Sequence, residues 1–238
     1  MNNPTYKRVL LKLSGESLAG SAKNGISPEQ LRSYAQQIAD LSSKGVEVAI
    51  VVGGGNIFRG LSGAAQGFDR VKGDRMGMLA TVINALALSA SVEELGVKSV
   101  VMTATPMEPF ARYYDAIEGR RLLEQGYVVF IAGGTGNPFF TTDTASALRG
   151  VELKADVMLK GTRVDGIYTA DPEKDPSATK IDRISYDEIY VKNLRVMDLT
   201  ATTLCKENNL PIVVFDMDTS GNLAKVIMGE NIGTTVHN

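Results

Sequence analysis

The sequence predicts an α/β fold: a three-layer sandwich with a mostly parallel central sheet covered by helices on both faces. Three observations carry this expectation. Six short runs rich in β-branched and apolar residues are spread along the 238 residues. They are apolar almost throughout rather than alternating, as strands buried on both faces are. Longer stretches of helical period lie between them, which favours parallel pairing through crossovers.

The first run is RVLLKL (8–13), with Lys12 inside it. A well-marked helix follows. Ser27 is placed to be the N-cap, Pro28 to be N1 and Gln30 to be N3, a capping box. Leu31, Tyr34, Ala35, Ile38 and Leu41 then share one face, and Gly45 closes the C-terminus. The next run is VEVAIVV (46–52). From Asp74 to Leu95, Met76, Leu79, Ile83 and Leu86 mark one helical stripe, and Met78, Val82 and Leu88 widen it. A helix so apolar is buried on two sides, either as a core helix or at a subunit interface. The remaining strand runs are VKSVVMT (97–103), YVVFIA (127–132), DVMLKG (156–161) and IVVF (212–215). Residues 162–185 form the longest polar, proline-bearing stretch, and loops of that length are more often functional than idle. No repeat or composition break divides the chain, so residues 1–238 are expected to form one domain.

Composition narrows the chemistry. A net charge of −2, with 44% hydrophobic and 22% charged residues, describes an ordinary globular protein with no long-range pull toward nucleic acid or a membrane surface. The opening MNNPTYKRVLLKLSG has too short an apolar run for a signal peptide or a membrane span. One cysteine, Cys205, points to a reducing, cytoplasmic setting. The sole histidine, His237, is the second-last residue, which argues against histidine general-base catalysis, Ser-His-Asp triads and histidine-ligated zinc. Lysine, arginine, carboxylates, hydroxyls and backbone amides remain. That set suits phosphoryl transfer, where positioning and charge stabilisation dominate.

Glycine-rich segments follow four strands, after residues 13, 52, 132 and 161, and in an open parallel sheet they converge at one edge. Two familiar fingerprints fail. GESLAGSA (15–22) has Walker A glycine spacing, but Ser21 stands where lysine is required, and GGGNIFRG (53–60) puts Phe58 at the last glycine of a dinucleotide motif. In a third scheme, Lys12 reaches a phosphate from the strand end while the amides at 14–16 cradle it. The alternative is a strand lysine that snorkels. Gly53, Gly54 and Gly55 offer further bare amides, and Arg59 is either a phosphate clamp or a solvated surface residue. GGTGNPFFTTDTAS (133–146) is the densest signal. Thr141 or Thr142 as an N-cap, with Asp143 on the helix dipole, explains three residues and leaves Gly134 to Phe140 unexplained.

These segments resemble, in order, the bacterial UMP kinase (uridylate kinase) family of the amino acid kinase superfamily. The carriers are KLSGE (12–16), GGGNIFRG (53–60), GDRMGMLATVINALAL (73–88), AGGTGNPFFTTDTA (132–145), LKGTRVDGIYTADP (159–172) and VMDLTA (196–201). GTGNPFFTTD is the specific one, because it is similar to a UMP-binding segment rather than an amino-acid site. The resemblance implies an amino acid kinase-like sandwich that converts ATP and UMP to ADP and UDP with Mg²⁺, in pyrimidine nucleotide biosynthesis, as a cytoplasmic homohexamer. It implies a UMP- and phosphate-binding lobe over about residues 1–150 and an ATP nucleoside-binding lobe over 151–238.

By the same resemblance Lys12, Leu13, Ser14 and Gly15 hold the ATP phosphates, with Gly55 and Arg59 beside them. Thr162, Tyr168 and Asp171 hold the ATP nucleoside. Gly54, Asp74, Thr135, Gly136, Asn137, Pro138, Phe139, Phe140, Thr141 and Thr142 bind UMP, with Asp74 on the ribose. Lys12, Asp143 and Lys160 are the catalytic set. Asp143 either orients the two lysines or helps hold the metal through water. GTP activation falls on Gly20, Ser21, Ala22, Lys23, Asn24 and Gly25, and UTP is implied as an inhibitor. Asp198 is either a second polar group at the site or a helix N-terminal aspartate. Two rivals stand beside this: another kinase of the superfamily acting on an amino acid or carbamate, and a non-catalytic nucleotide or anion binder of the same fold.

Overall fold

The structure, a computed structural model, describes residues 4–22, 24–58, 67, 69–170, 174–175, 177–194 and 196–238. Its elements in chain order are β1 (Arg8–Leu13), α1 (Gly15–Leu18), α2 (Pro28–Ser43), β2 (Glu47–Val52), α3 (Arg70–Glu93), β3 (Ser99–Thr103), β4 (Arg112–Tyr113), α4 (Ala116–Glu124) and β5 (Val128–Ala132). There follow α5 (Thr142–Glu152), β6 (Val157–Thr162), β7 (Ile167–Tyr168), β8 (Lys180–Ile181), β9 (Arg183–Ser185), α6 (Tyr186–Val191), α7 (Leu199–Glu207), β10 (Ile212–Asp216), α8 (Asn222–Ile227) and β11 (Thr234–His237).

Nine strands form one sheet in the order β4-β3-β5-β2-β1-β6-β10-β11-β9, and β7 and β8 form a separate antiparallel pair. Among the described residues of the large sheet only β10 and β11 pair antiparallel. The period of two divides β1 between two cores. Val9, Leu11 and Leu13 pack with Tyr34 and Ile38 of α2, Val82 and Leu88 of α3 and Leu223 of α8. Leu10 packs on the other side with Leu122 of α4, Ala147 of α5, Tyr186 of α6 and Cys205 of α7. This is the expected sandwich, with the central strands β5, β2, β1, β6 and β10 buried on both faces.

The six expected strands are present within two residues of their expected ends. The others, β4, β7, β8, β9 and β11, are two to four residues long, too short for a periodic signal. The polar stretch 162–185 accordingly carries the end of β6, the β7–β8 pair and β9 rather than one continuous loop. In α2, Ser27 accepts a hydrogen bond from the Gln30 N–H at 3.4 Å. The expected capping box is only half made, because the Ser27 N–H already donates to the Leu18 carbonyl at 2.7 Å.

α3 begins at Arg70 rather than Asp74, because Asp69 caps it by accepting from the Lys72 N–H at 3.1 Å. By length and hydropathy α3 would pass as a membrane span, yet Thr81, Asn84 and Ser89 are buried beside Ala80, Val82, Ala85, Leu88 and Val92. Its other side is open. Leu79 and Ile83 are 49% and 50% exposed, and Met76 and Leu86 are exposed beside them. The helix is therefore buried on one side within the chain, not two.

Two of the three glycines after β2, Gly53 and Gly54, have a packing explanation. A Cβ on Gly54 would lie 2.8 Å from both the Ala80 Cβ and the Gly77 carbonyl of α3, and one on Gly15 would lie 2.6 Å from the Gly53 carbonyl. The loop is wedged between the turn after β1 and α3. Gly54→Ala is expected to lower the thermal midpoint of the ligand-free protein by several degrees, since overpacking of this kind costs roughly 1–3 kcal/mol. An unchanged midpoint would show that the loop has room to move.

Candidate active site

β5, β2, β1 and β6 are parallel neighbours, so the segments after residues 132, 52, 13 and 161 open at one edge of the sheet. Register then sets the chemistry. Lys12 of β1 lies directly opposite Lys160 of β6. Both sit at the parity of Leu10 and Met158, which face the core under α5. Two like charges so placed repel, and side chains opposite on paired strands feel this most.

The first turn of α5 supplies the counter-charge. Thr141 caps the helix by accepting from the Thr144 N–H at 3.1 Å. Asp143 then turns its carboxylate to the sheet. Its Oδ2 accepts from Lys160 Nζ at 2.7 Å, and its Oδ1 lies 2.9 Å from Lys12 Nζ. The second contact is ionic: Oδ1 is buried with no well-directed hydrogen bond. All three side chains are 13–16% exposed. Burial works against the Asp143 charge, but the Lys12 and Lys160 ammoniums outweigh it and hold the carboxyl below its usual range. Burial pushes the Lys160 ammonium down; Asp143 opposes this and the Lys12 charge adds to it.

A cleft opens on each side of this cluster. One, of about 410 Å³, is lined by Gly54, Asp74, Thr135, Phe140, Thr141 and Thr142, expected to bind UMP, by Gly55, expected beside the ATP phosphates, and by Phe58, Arg70, Gly77, Met78, Thr81 and Gly134, which were not expected at the site. Thr142 joins it directly to Asp143. The other, of about 730 Å³, is lined by Lys160, Thr162 and Tyr168 together with Val164, Lys174, Lys192, Asn193 and Val214. Of the expected residues, Gly136, Asn137, Pro138 and Phe139 form the turn at the rim of the first cleft without lining it. Lys12, Leu13, Ser14 and Gly15 end β1 and start α1 between the two clefts. Lys23, Arg59 and Asp171 lie outside the described residues.

Several expected ligands already have partners. Asp74 takes Arg70 Nε on both oxygens, at 2.9 and 2.8 Å, and its Oδ2 also accepts the Phe139 N–H at 2.8 Å. That leaves about one of a carboxylate's four acceptor sites, fewer than a 2′,3′-diol needs. Arg70 also lies over the Phe139 ring, 5.5 Å from its centroid. It escaped the sequence reading because an Arg-to-Asp pair four residues apart looks like an ordinary helix-surface pair. The Thr162 hydroxyl donates to the Val164 carbonyl at 2.7 Å. Asp198 is the N-cap of α7, bonded by the Ala201 N–H at 3.0 Å, and it also accepts from the hydroxyls of Thr141 and Thr144. It ties α7 to the start of α5 and so backs Asp143 from behind.

The amino acid kinase family model matches residues 7–216. A uridylate kinase of Parabacteroides distasonis is 68% identical over 98% of this chain and 99% of its own, and that of Porphyromonas gingivalis is 68% identical over 98% of each. Among solved structures, the UMP kinase of Bacillus anthracis superposes with a TM-score of 0.95 at 38% identity, covering 98% of this chain and 96% of that one. The UMP kinase of Ureaplasma parvum gives a TM-score of 0.93 at 35% identity over the whole of both chains.

Removing the shared carboxylate has two expected consequences. Asp143→Asn leaves two buried ammoniums facing each other, and breaking such pairs costs about 3–5 kcal/mol. Without Asp143 the Lys160 proton is held still less tightly. A lysine whose folded pKa is depressed gains stability as pH rises through that value, up to its unfolded value near 10.4. The thermal midpoint of the variant should therefore climb relative to wild type between pH 7 and about 10. A parallel pH dependence in the two proteins would mean that Asp143 is a helix-end residue with no electrostatic duty.

Proposed function

The chain belongs to the amino acid kinase family, and we propose that it works there as a UMP kinase, moving the γ-phosphoryl group of ATP to UMP to give ADP and UDP. The observation that carries this is a pair of lysines bridged by one carboxylate, standing between two clefts. The enzyme must bring two polyanions together. The UMP phosphate is largely ionised at neutral pH, so the nucleophile needs no general base, and the chain's lack of a well-placed histidine is no obstacle. Lys12 and Lys160 offset the charge spread over the transferring group, and Asp143 keeps them side by side until phosphate takes its place as their counter-ion.

In this reading the cleft of Gly54, Asp74, Thr135, Phe140, Thr141 and Thr142, rimmed by Gly136, Asn137, Pro138 and Phe139, takes UMP. Asp74 receives one ribose hydroxyl directly and the second only where Arg70 yields. The cleft of Thr162 and Tyr168, with Asp171 after it, takes the ATP nucleoside, while Leu13, Ser14, Gly15, Gly55 and Arg59 flank the phosphates. The acceptor side thus draws on about residues 1–150 and the donor side on 151–238. Mg²⁺ carried on the phosphates takes at most one or two protein carboxylates, and Asp143 is the one between the clefts that would help hold it. Bound there, Mg²⁺ neutralises phosphate charge.

GTP activation through Gly20 to Gly25 and inhibition by UTP complete the proposal, as do a homohexamer and a cytoplasmic setting. The segment 20–25 meets the glycine loop where the Gly25 N–H donates to the Asn56 carbonyl at 2.9 Å. A net charge of −2 offers nothing to nucleic acid or an anionic membrane.

ADP release measured with UMP, other nucleoside monophosphates, glutamate and aspartate tests the function. Release with UMP far above the rest is expected, and equal or absent release with UMP would overturn it. The exposed stripe of α3 supports association. Leu79→Glu puts a charge in that stripe and is expected to give smaller particles by sedimentation than wild type. A wild-type protein that sediments as a monomer at micromolar concentration would contradict the assembly.

A further inference from the structure

Asn56 and Asn84 form a buried pair that the mechanism above does not use. Asn84 is fully buried and Asn56 is 2% exposed. Each amide donates to the other: Asn56 Nδ2 to Asn84 Oδ1 at 3.0 Å, and Asn84 Nδ2 to Asn56 Oδ1 at 2.7 Å. The second hydrogen of Asn84 goes to the Gly53 carbonyl at 2.7 Å, and that of Asn56 to the Gly25 carbonyl at 2.7 Å. All four amide hydrogens are used, and both carbonyl oxygens accept. A buried polar network satisfied this fully fixes one geometry, because any shift strands a donor away from water.

What it fixes is the register of three segments. The Gly53 carbonyl, held by Asn84, is the atom a Cβ on Gly15 would strike at 2.6 Å, and Asn56 Oδ1 would meet the same Cβ at 2.6 Å. The Gly53 N–H donates to the Leu13 carbonyl at 2.9 Å. The turn that follows Lys12 is thus seated on the loop that carries Gly54 and Gly55 into the first cleft, and α3 anchors that loop through Asn84.

We propose that Asn84, acting through Asn56 and the Gly53 carbonyl, is a positioning residue for phosphoryl transfer. It sets the distance between the acceptor loop at Gly54–Gly55 and the donor-side turn at Ser14–Gly15. This rests on the UMP kinase reading. An apolar side chain of the same size would fill the space equally well but would set no direction. The role is therefore alignment, which appears in turnover more than in binding, since a misplacement of about 1 Å can cost about 10²-fold.

Asn56→Ala, Asn84→Ala and the double variant are compared with wild type for kcat, for KM of UMP and ATP, and for thermal midpoint. Each single variant is expected to lose about ten- to a hundredfold in kcat with KM values within about threefold. Because the pair acts as a unit, the double variant should lose little more than either single one. Wild-type turnover with UMP reads the function, and the variant-to-wild-type ratio reads the amide pair, so the two can fail separately. Singles that stay folded with kcat unchanged would overturn the proposal, as would losses in kcat that multiply in the double variant. If the alanine variants do not fold, Asn84→Asp, which keeps the shape and removes both donors, is read by the same ratio. Wild-type kcat in that variant would also overturn it.

Discussion

Two lysines set side by side on neighbouring parallel strands, and mostly withdrawn from water, require an anion between them. In the free protein that anion is Asp143, and much of the architecture serves to put it there. The register of β1 against β6 fixes the lysines. The Thr141 cap fixes the first turn of α5, and Asp198, at the start of α7, accepts hydroxyl bonds from Thr141 and Thr144. A carboxylate shared by two cations is a compromise: its own charge is favoured while Lys160 is held below its ordinary range. In the proposed reaction a polyphosphate entering from either cleft would relieve that shortage of negative charge, as a preorganised electrostatic site requires.

The glycines answer a different demand from the one they first suggest. Three bare residues after a strand look like a phosphate cradle, yet Gly53 and Gly54 are small chiefly because protein presses on them. The turn after β1 lies on one side and Ala80 and Gly77 of α3 on the other. Close packing and ligand approach are not rival explanations. A loop wedged between two rigid elements and clasped by a satisfied amide pair is held as a preorganised site requires.

The central strands were legible because runs such as VEVAIVV are buried on both faces, and the cluster was legible because KLSGE, GTGNPFFTTD and LKGTRVDGIYTADP, which carry Lys12, Asp143 and Lys160, resemble segments of a known kinase family. What escaped was short or indirect. β4, β7 and β8 have two residues each and present no period. Arg70 carries no signal apart from its spacing to Asp74, and its Nε–H shared between both oxygens of that carboxylate is visible only in three dimensions. Asn84 had a signal that went unread: an asparagine within a helix otherwise so apolar must find buried partners. The outward stripe of α3 was read as either core or subunit interface, because periodicity reports apolar faces, not what covers them.

The proposed path of the phosphoryl group between the clefts runs past Lys12, Lys160 and Asp143. A crystal structure with a bisubstrate analogue, adenosine and uridine joined through a phosphate chain, tests it most directly. Uridine is expected against Gly54, Asp74 and Thr142, and adenosine against Tyr168 and Asn193. The phosphate chain should then lie within hydrogen-bond reach of the Lys12 and Lys160 ammoniums. Both nucleosides on one side of the cluster, or a phosphate chain that leaves Lys12 paired only with Asp143, would contradict it.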